Sequence, residues 1–209
     1  MMRIDKLSST PDRAGRYWLE FEDGSVLKLY RQTVEDFCLY TGLELDEDQL
    51  VKLKEAAGQM SAKMRAVRIV SVSSVSKQDL ERRLIQKGEN PEQAKAAVAW
   101  MEDLDLVDDR KTAEQIVVRC AARGYGISRA KQALFEKQIP KQFWEEALAD
   151  YPDQSDNILE FLRTKLSDDA DNKEVKRCID ALIRRGHSYG QIKRCLSRLS
   201  MDTDEFPEE

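Results

Sequence analysis

Glycine and proline are scarce, nine and five in 209 residues. That scarcity excludes collagen-like chains and Pro/Gly-rich disorder, and it leaves helix as the favoured element. Histidine occurs once, at His187, and the four cysteines (Cys38, Cys120, Cys178, Cys195) form no Cys-x-x-Cys pair. Zinc needs closely spaced thiolate or imidazole ligands, so no metal is expected; the thiols should be reduced and buried in helices. Long apolar runs are missing as well. None approaches the roughly 20 residues of a membrane span, and residues 1–14 lack a signal-peptide core, so a cytoplasmic protein is expected. No nucleophile–base pairing or glycine-rich phosphate cradle stands out, which makes an enzyme the weakest reading, and no cofactor is implied.

What is present is charge and helical pattern. The net charge of −5 is unevenly spread: −1 over residues 1–73, −4 over 74–109, +3 over 110–150, +2 over 151–200 and −5 over 201–209. A basic C-terminal half before an acidic end points to a polyanionic or charge-patterned partner. At the N-terminus, Tyr17–Phe21 and Val26–Tyr30 are rich in aromatic and branched residues. They flank Glu22-Asp23-Gly24-Ser25, where Asp-Gly predicts a two-residue type I′ hairpin turn. Residues 3–7 can add a third strand.

Helical signals then take over. Thr33 is placed to cap a short helix over 34–40 that Gly42 stops, and Asp46 with Gln49 forms a capping box for a second helix. The serine-rich, β-branched run 69–76 reads as a boundary.

The remainder repeats. Aligned on Gly88, Gln138 and Gly186, spaced 50 and 48 residues apart, three segments share one apolar pattern. Four residues before each anchor stand Leu84, Leu134 and Leu182; eight before stand Leu80, Ala130 and Cys178. Six after come Ala94, Trp144 and Ile192; ten after come Val98, Leu148 and Leu196. A basic residue, Lys87, Lys137 or Arg185, precedes each anchor. Apolar positions four apart mark one buried face on each of two successive helices, and preceding helices over 61–72, 111–122 and 154–166 complete each unit. Ser76 and Ser128 are placed to cap the middle helices, and Asp109 the helix that starts at Arg110; Pro91 and Pro140 suit first turns. The expected architecture is mainly α: a β element with short helices (1–58), three-helix modules over 59–109, 110–150 and 151–200 stacked as an elongated curved array, and a disordered acidic tail (201–209). The run Asp168-Asp169-Ala170-Asp171 is expected to be a solvated loop that caps the next helix.

This pattern and its local wording resemble the RecX family. The strongest stretch is Leu106-Val107-Asp108-Asp109-Arg110-Lys111-Thr112-Ala113. It is followed by Arg119, Gly124, Gly126, Ser128-Arg129, Leu134, Lys137 and Ile139-Pro140. Ser76, Leu80, Leu84 and Lys87-Gly88 resemble the family's first-module opening, and Leu182 with Arg185-Gly186 its closing motif. The sequence departs from the family where Ser73-Ser74-Val75 stands in place of a basic stretch, where Gln138 replaces glycine, and where His187 replaces an aromatic residue. The resemblance covers roughly 61–199. It implies a regulator, usually an inhibitor, of the RecA recombinase that lodges in the groove of the RecA–DNA filament and restrains ATP turnover and strand exchange.

The residues themselves offer a candidate partner-binding surface of cations: Arg119, Arg123, Arg129, Lys131 and Lys137 in the second module, and Arg177, Arg184, Arg185, Lys193 and Arg194 in the third. Arginine suits bidentate contact with carboxylate or phosphate. The expected partners are the RecA filament and, weakly or only with RecA, single-stranded DNA; a monomer is the simpler expectation. A helical module that binds nucleic acid without RecA is the alternative, disfavoured by the acidic balance. Trp100 and Trp144 read as core anchors, the Gly124-Tyr125-Gly126 turn as a helix connection, and His187 as a capping or packing residue.

Overall fold

A computed structural model describes residues 1–167 and 170–199. The acidic tail, and Asp168 and Asp169 of the expected loop, lie outside the described residues. Four strands come first: β1 (Met2–Leu7), β2 (Arg16–Phe21), β3 (Val26–Tyr30) and the short β4 (Glu44–Leu45), in the antiparallel order β3-β2-β1-β4. Alternation sets the faces. Leu19 and Phe21 of β2 point inward with Ile4, Leu29 and Leu45, while Trp18 points outward under Lys28, 4.5 Å from its ring centre. The β2–β3 turn differs from the expected type I′. Gly24 N–H donates to Phe21 O and Phe21 N–H to Ser25 O, with positive φ at Gly24 alone. This is a three-residue loop, a type I turn closed by a glycine bulge; it asks for one left-handed residue instead of two.

The first helix, α1 (Arg31–Asp36), starts before Thr33, which is buried inside it and caps nothing. The strand hands straight over to the helix at Tyr30, so no cap residue intervenes. Cys38 follows α1 in a left-handed conformation and is exposed, whereas the other three cysteines are buried in helices as expected. Helix α2 (Glu47–Val72) opens on the Asp46–Gln49 capping box and runs unbroken for 26 residues. Leu53 and Ala57 close the sheet's core; Ala62, Ala66 and Ile69 pack with α3 (Lys77–Gln86) and α4 (Pro91–Asp103). The helix expected over 61–72 is thus the second half of α2. Among the described residues no helix is long and apolar enough to cross a membrane.

Met1–Val107 forms one unit and Asp108–Glu209 a second. The second holds α5 (Asp109–Ala122), α6 (Ile127–Glu136), a 3-10 turn (Lys141–Phe143), α7 (Trp144–Leu148), α8 (Ser155–Lys165), α9 (Asn172–Arg184) and α10 (Tyr189–Arg198). Helices α5–α7 surround Ala113, Ile116, Ala130, Leu134 and Ile139; α8–α10 surround Ile158, Leu162, Val175, Leu182, Ile192 and Leu196. Trp144 Nε1 donates to Ile139 O at 3.0 Å, satisfying its one polar atom within that core.

Two expected caps move by a residue or two. Asp108, not Asp109, accepts from Arg110 and Lys111 N–H, because Asp108 has the extended backbone a cap needs and Asp109 is already helical. Helix α6 starts after Gly126, not after Ser128: Gly126 N–H donates to Arg185 O and Ser128 N–H to Gly186 O, so a tertiary contact takes the place of a side-chain cap. Ser76 and Asp171 cap α3 and α9 as expected, and Pro91 opens α4.

The three alignment anchors share one backbone geometry. Gly88, Gln138 and Gly186 have φ of 90°, 55° and 89°. The next residue's N–H reaches back to the leucine four before the anchor: Glu89 to Leu84 O, Ile139 to Leu134 O, His187 to Leu182 O, at 3.0–3.2 Å. Each middle helix therefore ends in a Schellman motif. Its fully buried leucine anchors the core, worth about 1.5–3 kcal/mol, and its carbonyl closes the helix end.

Candidate functional site: a cationic cleft where three helices end

The turns at Gly124–Gly126 and Arg185–His187 meet within the second unit. No side chain fits between them. A Cβ on Gly126 would lie 2.0 Å from Gly186 O, and one on Gly186 would lie 2.3 Å from Arg129 N. His187 seals the contact: its Nε2 donates to Gly124 O at 3.1 Å, and the ring is buried. A carbonyl can only accept, so Nε2 carries the proton and Nδ1 keeps its lone pair, unpartnered among the described residues. Burial lowers the His187 pKa, with the nearby Arg185 charge adding to this and the Gly124 bond opposing it. The imidazole is held neutral.

Beside this junction opens a cleft of about 220 Å³ lined by Arg123, Asn157, Phe161, Lys165, Arg185 and His187, among others. Arg123 is the C-cap of α5, Lys165 the last residue of α8 and Arg185 the C-cap of α9. Cations suit helix C-termini because they offset the macrodipole, a local reason for each. Their convergence goes further. Among the described residues, no carboxylate pairs with any of the three. Arg185 lies over Phe161, 4.4 Å from the ring centre, a stacking that orients the guanidinium while leaving its N–H edge available. Asn157 is fixed by donating to Gln154 Oε1 at 2.6 Å. Glu160 also borders the cleft, and the cations outnumber it. Such an arrangement can hold an anionic group with little reorganisation.

Of the ten basic residues singled out in the sequence, the structure brings Arg123 and Arg185 together here. Arg129 is half-buried on α6 and pairs with Glu136 at 3.1 Å. Lys137 is the half-buried C-cap of α6, and Lys193 is half-buried on α10. Arg119, Lys131, Arg177, Arg184 and Arg194 stand exposed on α5, α6, α9, α9 and α10 and do not line the cleft. Lys165, Phe161 and Asn157 escaped the sequence reading, since nothing local tells a lysine ending one helix that two other helices end beside it.

No family model matches the chain. It is 24% identical over 208 residues to a regulatory protein RecX of Streptococcus gordonii, covering 98% of this chain and 81% of that protein. It is also 24% identical over 212 residues to regulatory protein RecX of Clostridioides difficile, covering 98% and 97%. A crystal structure of regulatory protein RecX superposes with a TM-score of 0.64 at 20% identity over 93% of this chain and all of the other. RecX from Lactobacillus salivarius gives 0.60 at 22% over 69% and 98%. Helix triplets behind a small antiparallel sheet, in a chain that matches regulatory proteins along nearly its whole length, define the class: a mainly helical regulatory protein. Within that class, the proteins it resembles along nearly its whole length are regulatory proteins named RecX.

Proposed function

We propose that this chain inhibits the RecA recombinase by binding in the groove of the RecA–DNA filament, where it restrains ATP hydrolysis and strand exchange. The likeness to regulatory proteins named RecX supports the regulatory role. The observation that carries the binding mode is the convergence of Arg123, Lys165 and Arg185, unpaired among the described residues, in one preorganised cleft. In this reading the chain acts in the cytoplasm as a monomer built of modules over 59–109, 110–150 and 151–200, and it touches single-stranded DNA only weakly or through RecA. An anionic group of the filament, carboxylate or phosphate, occupies the cleft.

The test is a titration of the protein, at sub-stoichiometric ratios, into RecA assembled on single-stranded DNA, following ATP hydrolysis and strand exchange. Both should fall. No effect at any ratio contradicts the proposal, and tight, steeply salt-dependent binding to bare DNA would instead favour a nucleic-acid module independent of RecA.

A further inference from the structure

The cations of the cleft meet no carboxylate among the described residues, yet the chain carries a block of acid beyond them. Residues 201–209 hold Asp202, Asp204, Glu205, Glu208 and Glu209 and no cation. They follow closely on α10, whose position decides what they can reach. Cys195 Sγ donates to Ser155 O at 3.7 Å, so the second half of α10 lies against the first turn of α8. Leu199, one turn further on, packs against the core that α8–α10 share. Asn157 and Phe161 of that same α8 line the cleft. The path from Leu199 back to Cys195, and from Ser155 along α8 to Phe161, is about 15 Å of helix plus the width of one contact. An extended segment of this length spans up to about 30 Å, so its carboxylates can reach the cleft.

We infer that the cleft is the docking site of the chain's own acidic segment, 201–209, whose carboxylates engage Arg123, Lys165 and Arg185 in the free protein and compete there with the partner's anionic group. Charge complementarity and tethering argue for this occupant. Arginine takes a carboxylate as a bidentate pair, and the stacking of Arg185 on Phe161 leaves its N–H edge available. A segment tethered at Leu199 meets the cleft at an effective concentration on the order of millimolar, so even weak ion pairs fill it for much of the time. Filling lowers the fraction of molecules competent for the partner, and the apparent affinity falls by that fraction. Asp168 and Asp169 follow Lys165 closely in sequence, but they bring two carboxylates to three cations where the segment brings five. The docking stands apart from the filament reading; the competition rests on it.

The experiment compares the full wild-type chain with a neutralised variant, Asp202→Asn/Asp204→Asn/Glu205→Gln/Glu208→Gln/Glu209→Gln, first without RecA. In heteronuclear NMR spectra at low salt, the side-chain Nε–H signals of Arg123 and Arg185 should differ between the two proteins. Raising the ionic strength to about 0.5 M should move the wild-type signals towards those of the variant, because screening releases exposed ion pairs. Identical signals at low salt overturn the docking. So does the same displacement produced by Asp168→Asn/Asp169→Asn, which would give the cleft to the residues after α8. Wild-type signals that move with protein concentration would give it to a second copy and end the proposal as well. On RecA filaments the neutralised variant should inhibit at a roughly threefold to tenfold lower concentration. That gain should vanish in an Arg123→Glu/Arg185→Glu background, which separates it from a general change of net charge. Equal potency in a variant whose cleft signals have moved, or a gain that persists in that background, overturns the competition. A wild type without effect on RecA overturns the filament reading and leaves the docking to be judged by the spectra.

Discussion

Gln138 occupies a backbone position that its two equivalents give to glycine. With φ of 55° it holds the left-handed conformation that closes α6, and its Oε1 is buried without a partner among the described residues. Both features cost stability: a side chain in that region is strained, and an unpaired buried acceptor loses its water. Gln138→Gly should therefore stabilise the protein by up to about 1 kcal/mol, partly offset by the greater freedom of glycine in the unfolded chain. The converse changes should be graded. A Cβ on Gly88 meets nothing within 4 Å, so Gly88→Ala costs only the backbone strain, about 1 kcal/mol. Gly186→Ala adds a collision with Arg129 N and costs more. Urea midpoints of the three variants check this order; a destabilised Gln138→Gly contradicts it.

Among the helices, the junction of the Gly124–Gly126 and Arg185–His187 turns decides whether the cleft exists. Its backbone bonds, Gly126 N–H to Arg185 O at 2.9 Å and Ser128 N–H to Gly186 O at 3.2 Å, need the two chains in direct contact. Gly126→Ala forces them apart and should cost about 3 kcal/mol or more, with faster amide exchange at Gly126 and Ser128. Gly190 is the control. It lies inside α10 with open space around it, so Gly190→Ala should stabilise by roughly 0.5–1 kcal/mol through helix propensity. Equal effects from the two substitutions would mean that the junction is not close-packed. The same junction shows where the sequence was legible and where it was not. Period and spacing located the middle helices and their shared ends, because Leu84, Leu134 and Leu182 are at once core residues and helix terminators. The capping box at Asp46 and the caps at Ser76 and Asp171 were equally local, hence readable. The start of α6 was not. Ser128 carries the right side chain for a cap, but partners more than fifty residues away in sequence claim its backbone and that of Gly126. Hairpin type was lost for a related reason: Asp-Gly fits more than one loop length, and the register of β2 against β3 makes the choice. The ten candidate cations were legible as types; which of them gather was not, since the cleft is made by the ends of α5, α8 and α9, far apart in sequence.

For the whole molecule, the sheet with α1–α4 and the triplets α5–α7 and α8–α10 give a scaffold whose polar surface, more than its interior, carries the proposed activity. Binding would draw on the cleft, whose charge complementarity steers encounter and fixes register. Arg123 and Arg185 are exposed and have no carboxylate partner to strand among the described residues, so reversing them leaves the buried cores intact, at a cost of about 0.3–1 kcal/mol per helix end and the loss of the stacking on Phe161. The deciding measurement is inhibition of RecA ATP hydrolysis on single-stranded DNA by Arg123→Glu/Arg185→Glu beside the wild type at one salt concentration. The account predicts a loss of potency of at least about tenfold, with helical content retained, the thermal midpoint lowered only slightly and the wild type's salt sensitivity reduced. Undiminished inhibition by the doubly reversed, folded protein would contradict it.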